Sequence, residues 1–164
     1  VSEEAAGGAL VIGYGNALRT DDGLGWHAAD RLAADPRLAG ATILQRHQLT
    51  PELAFEISRA GLVVFVDASR GPAGVVAIEW IEAAPAATLS WSHHIDPATL
   101  LGLARDLYDA SPAAATVSVG AASDAVGDRL TPAVDGTLPA VVEAVARLNA
   151  SGSGRPVPTG GRHA

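Results

Sequence analysis

Apolar and polar positions follow one another along the chain in two periods, one suited to strands and one to helices. "ALVIGY" (9–14) and "GLVVFVDA" (61–68) are nearly unbroken apolar runs rich in β-branched residues, the pattern of strands covered on both faces of a parallel sheet. They read as core strands. "ATILQR" (41–46), "GVVAIEWI" (74–81) and "ATVSVGA" (115–121) are shorter or more alternating, which places them nearer the edges or in antiparallel pairing. Between these runs, apolar residues recur at helical spacing: Leu24, Ala28 and Leu32; Leu100, Leu103, Ala104 and Leu107; Val141, Val142, Val145 and Leu148. Thr50-Pro51, Asp96-Pro97 and Thr131-Pro132 or Thr137 set an N-cap residue ahead of helical sequence, with proline near the first turn where its missing N–H is harmless.

The resulting order β-α-β-α-β-β-α-β-α predicts an α/β three-layer sandwich, a twisted, five-stranded, mostly parallel sheet with helices on both faces. One domain is expected over 9–150. Residues 1–8 read as a flexible N-terminus, and the Gly, Pro and Ser of "SGSGRPVPTGGRHA" (151–164) leave almost nothing to bury, so a disordered tail is expected there.

Composition narrows the function classes. With 164 residues, 48% of them hydrophobic, the chain can bury one good core and not two. A net charge of -7 with eleven scattered basic residues argues against nucleic acid, which demands a clustered basic surface. The absence of cysteine removes disulfides, thiolate metal sites and thiol nucleophiles, so any metal must sit on oxygen and nitrogen. "VSEEAAGGA" at the start is acidic where a signal peptide is basic, and no apolar run approaches the roughly eighteen residues of a membrane span. A soluble, cytoplasmic protein without membrane association is expected.

The chemistry concentrates in "VIGYGNALRTDDGLG" (11–25). Gly13-x-Gly15 after an apolar strand begins like a dinucleotide-binding turn, but Leu18 stands where the third glycine belongs, and the second strand ends in Gln45, Arg46 and His47 rather than an acid. Asp21 and Asp22 near a helix start would compete with phosphate for the same N–H groups. A cation or a peptide is the better guest. Asp67 closes the most hydrophobic strand, and ligands of open α/β sheets bind beyond the strand C-termini. His93 and His94 precede a helix start, and imidazole with carboxylates suits a borderline divalent metal such as nickel or zinc. Asp22, Asp67 and one of these histidines form the candidate set. Asn16 either holds its loop or contacts substrate backbone, His47 and Gln48 are candidates to line a peptide groove, and Gly15 lets backbone come close.

Gly13-x-Gly15-Asn16-x-Leu18-x-x-Asp21-Asp22-Gly23-x-Gly25, then "VVFVDAS", then "SHH" before a leucine-rich helix, then "LTPAV" before the last helix resemble the [NiFe]-hydrogenase maturation endopeptidases. The resemblance covers residues 9 to about 149. It implies an enzyme that removes the C-terminal extension of the hydrogenase large-subunit precursor after nickel insertion. It also implies that Asp22, Asp67 and His94, the last in a Ser92-x-His94 element, are the metal-binding and catalytic side chains, with nickel supplied by the precursor. In that picture nickel certifies the substrate, Asp21 and Asp22 attract its charge, and Gly15, Asn16, His47 and Gln48 meet the peptide. Two departures stand out: the second acid is Asp where some relatives have Glu, and "QRHQLTPELA" (45–54) replaces an Asp-Gly-Gly-Thr stretch. A non-catalytic nickel-sensing chaperone and a small nucleotide-binding domain are the alternatives.

Overall fold

The computed structural model describes residues 7–85 and 95–152. The expectations for the N-terminus before residue 7, for His93 and His94, and for the tail from residue 153 lie outside these residues. Strands β1 (Ala9–Tyr14), β2 (Thr42–Arg46), β3 (Leu62–Ala73), β4 (Val76–Ile81) and β5 (Ala113–Gly120) form a single sheet in the order β2-β1-β3-β5-β4. The first four in that order are parallel, and β4 runs antiparallel to β5. Helices α1 (Leu24–Ala34), α2 (Leu53–Ser58), α3 (Pro97–Tyr108), α4 (Pro132–Asp135) and α5 (Leu138–Ala150) complete the expected order.

The three layers follow from strand parity. Val11, Val64, Val66, Val117 and Val119 pack with Leu24 and Leu32 of α1 and Val141 and Val145 of α5. Leu10, Ile12, Val63 and Phe65 face the other way, against Leu53 and Ile57 of α2 and Leu100 and Ala104 of α3. The two unbroken apolar runs, β1 and β3, are neighbours at the centre of the sheet, where both faces are covered. Asp96 caps α3 as its sequence suggested, its side chain accepting from Thr99 N at 2.7 Å. Leu107, counted in the apolar stripe of α3, is instead 64% exposed, one turn beyond the last buried position of that helix.

One strand expectation holds and one changes. β5 lies one strand in from the edge and pairs antiparallel with β4, as its alternation suggested, and its Ser118 lies in register with Asp67. β3 does not stop at residue 68 but runs on to Ala73 with a register shift between Ser69 and Ala73. It thereby crosses the end of β5 before returning as β4. Gly120 permits that crossing, since a Cβ there would collide with the Pro72 carbonyl oxygen.

Candidate active site

The C-terminal ends of β1 and β3 bring Tyr14 and Asp67 side by side, because Gly13 and Val66 are register partners and the next residue on each strand points to the α2/α3 face. The Tyr14 hydroxyl donates to Asp67. Asp67 is withdrawn from water, and burial is the main reason its carboxyl is pushed up to about 6. The nearby Asp22 charge adds to the rise, and the Tyr14 hydrogen bond opposes it. Tyr14 is itself held above the usual phenol range, first by burial and then by the carboxylates of Asp67, Asp96 and Asp22.

Asp22 arrives from a different element, the 3-10 turn Thr20–Gly23 that leads into α1. The loop after β1 is folded onto it: Asn16 N donates to Asp22 Oδ2 at 2.8 Å, Leu18 N donates to Asn16 Oδ1 at 2.9 Å, and the Trp26 indole donates to the Gly15 carbonyl at 2.9 Å. Two of the amides that a phosphate-binding turn would aim outward, those of Asn16 and Leu18, are therefore satisfied by the loop and the turn after it. Gly15 takes φ +133, and a Cβ on it would collide with the Asp22 carbonyl oxygen. Its requirement for glycine comes from the chain's own turn, while the residue also lines the hollow beside Asp22. The close helix-to-strand packing that a third fingerprint glycine provides elsewhere falls here to Gly25, whose Cβ would strike Tyr14 N.

Two hollows meet at Asp22 and Arg19, which line both. One, of about 500 Å³, runs past Tyr14, Asn16, His47, Gln48 and Asp96; the other, of about 860 Å³, runs past Ser69, Arg70 and Ala121 to Asp124. Together they make an open groove along the C-terminal edge of the sheet, where parallel α/β sheets bind ligands. Gly15, Asn16, His47 and Gln48 thus share one hollow with Asp22. A further hollow of about 640 Å³ at the opposite end of the sheet is lined by Gly61, Ile81, Arg105 and Pro112 and includes none of these residues. Among the described residues no three His, Asp or Glu side chains gather as a metal site, and His94 falls outside them.

Asp21 departs from its expected role. It is fully buried, at 0% exposure, and its carboxylate accepts from Ala122 N, Ser123 N, Thr131 N and the Thr131 hydroxyl at 2.8 to 3.1 Å. Burial pushes its pKa up, but these donors prevail and hold it below the usual carboxylate value. No oxygen is left for a substrate. Tyr14 and Ser118 are not marked out by the sequence, although parity with Asp67 is a usable signal for Tyr14; the placement of Arg19 depends on the fold of a loop.

No protein-family model matches the chain, and no curated protein matches it. Solved structures do. The hydrogenase maturating endopeptidase HybD from E. coli matches with a TM-score of 0.70 at 24% identity, over 88% of this chain and 93% of that one. A hydrogenase 2 maturation peptidase from a Thaumarchaeota archaeon matches at 0.65 and 21%, over 85% and 96%. The [NiFe] hydrogenase maturation protease HycI from Thermococcus kodakarensis matches at 0.63 and 20%, over 88% and 93%. The chain has the α/β fold of the [NiFe]-hydrogenase maturation endopeptidases.

Proposed function

We propose that this protein is an endopeptidase that removes the C-terminal extension from the nickel-loaded precursor of a [NiFe]-hydrogenase large subunit. The observation that carries this reading is the place of Asp22 where two hollows meet, with Asp67, from a different element, close enough to feel its charge. Two neighbouring carboxylates beside such a groove suit a peptide that carries a cation at its cleavage point. Nickel arrives as part of the substrate in this reading, held by Asp22, Asp67 and His94. Ile95 and Asp96, which follow His94 in the chain, line the same hollow as Asp22.

Asp67, whose carboxyl is pushed up to about 6, is fitted to accept a proton from the water that attacks the peptide, and a bound cation would hold it ionised for that step. His47 and Gln48 line one arm of the groove and contact the peptide on that side. The test is incubation of the pure protein with nickel-loaded and nickel-free precursor, followed by intact-mass measurement of the large subunit. Loss of the extension from the nickel-loaded form alone is expected. Nickel-dependent binding without any mass change would instead favour a chaperone, and cleavage of both forms alike would remove nickel as the recognition element.

A further inference from the structure

The loop between β5 and α4 (121–131) contains no helix or strand, and Ala122, Asp124, Ala125, Val126, Asp128 and Arg129 are exposed. Yet its start forms one wall of the larger hollow beside Asp22, through Ala121, Ala122, Ser123 and Asp124. Its attachments converge on residues 18–21. Gly127 N donates to Leu18 O, Thr20 N to Gly127 O, and Asp21 N to Ser123 O, while the Thr20 hydroxyl donates to Ala125 O at 2.6 Å. Thr20 takes φ 51, a left-handed conformation costly for a β-branched residue, and it persists because pairing on both its polar groups fixes it. The Asp21 carboxylate adds bonds to both ends of the loop, at Ala122 and Ser123 and at Thr131.

We propose that Asp21 is a positioning residue for substrate docking: its buried carboxylate pins the 121–131 loop against the turn that carries Asp22, so that one side chain sets both walls of the larger hollow. This rests on the peptidase reading for the identity of the substrate. Asp21 touches neither peptide nor nickel. Because it shapes the walls, its loss weakens docking and leaves the turnover of docked precursor nearly unchanged.

The experiment compares the full chain with Asp21→Asn and Thr131→Val. Asn presents an amide N–H where N–H donors already point; Val deletes only the hydroxyl and keeps the Thr131 backbone bond. Amide hydrogen exchange is read by mass spectrometry, and KM and kcat are measured on nickel-loaded precursor. For Asp21→Asn, exchange across 121–131 is expected to rise about tenfold or more while β1 and β3 stay protected, with KM raised by about tenfold or more and kcat changed by less than about threefold. Thr131→Val should move both readouts the same way by a smaller factor, which keeps the test open if the asparagine variant does not fold. Unchanged exchange in both variants would overturn the pin, and a loosened loop with unchanged KM would overturn its part in docking. If the wild-type protein neither binds nor cleaves the precursor, the peptidase reading fails and the docking role with it, while the exchange data still decide the pin.

Discussion

Asp21 and Asp67 are both carboxylates withdrawn from water, and their surroundings drive them in opposite directions. Asp21 faces three backbone N–H groups and a hydroxyl, which outweigh its burial and hold it ionised. At Asp67 burial is the main push, the charge of Asp22 adds to it and the Tyr14 hydroxyl opposes it, and the pKa rises to about 6. Donors outweigh burial at Asp21, and burial prevails at Asp67. The consequence is a division of labour between a carboxylate that holds loops together and one that remains available for a proton or a cation. The neighbouring Asp22 gives one oxygen to Asn16 N and otherwise faces the groove.

The largest expected effect lies on the available side. Asp22→Asn and Asp67→Asn should each abolish removal of the extension from nickel-loaded precursor while leaving the circular dichroism spectrum unchanged. Processing at the wild-type rate by both variants would show that the groove centre is elsewhere. Next comes the loop beneath Asp22. Gly15→Val places a branched side chain at φ +133 against the Asp22 carbonyl, and a loss of about 3 kcal/mol or more in urea unfolding is expected. A near-neutral result would mean that the turn has another conformation available.

Asp21→Asn should destabilise by about 2–3 kcal/mol through mismatched buried donors, with an unfolding curve as cooperative as the wild type's. Asp67→Asn should do the opposite at pH 7.5, adding up to about 3 kcal/mol, since a rise of roughly two pKa units corresponds to that much strain on the ionised form. The signs follow from linkage. The folded pKa of Asp67 is raised, so its contribution is fully present below about pH 3.8 and is lost as pH rises through about 6. Asp21 has a lowered folded pKa, so its contribution is present above about pH 3.8 and is lost as pH falls through the folded value. Urea titrations from pH 3 to 8 without nickel should therefore lose their slope between pH 4 and 6 in Asp67→Asn and keep it in Asp21→Asn. The smallest effect is that of Tyr14→Phe, which removes the hydrogen bond to Asp67 and should weaken binding of nickel-loaded precursor by about tenfold or less. A loss as large as that of Asp67→Asn would make Tyr14 more than a support.

The fold was legible where burial is symmetric. β1 and β3 are apolar on both faces, so their runs are unbroken and their central place follows directly. β5 lies one strand in from the edge, and its partly buried Thr116 and Ser118, the latter in register with Asp67, interrupt its pattern. There, edge and site look alike in one dimension. Asp22 and Asp67 stand out as candidates from their loop and strand ends, whereas the opposite surroundings of Asp21 and Asp22 do not show in the sequence. They are adjacent in the chain, and what separates them is a loop one hundred residues away that only the folded chain brings to Asp21.

That separation also orders events in time. The Asp21 to Thr131 bonds span 110 residues of sequence, and such contacts form only after the intervening chain has been gathered, at the entropic cost of closing a long loop. While the polypeptide leaves the ribosome from its N-terminus, β1, β2 and β3 can associate before Ala122 or Thr131 has been made. The carboxylate that fastens the groove then has no partners. A partly synthesised chain would therefore carry Asp22 and Asp67 without the wall beside them, and competence to dock a client would come only once residues 121–131 have been made.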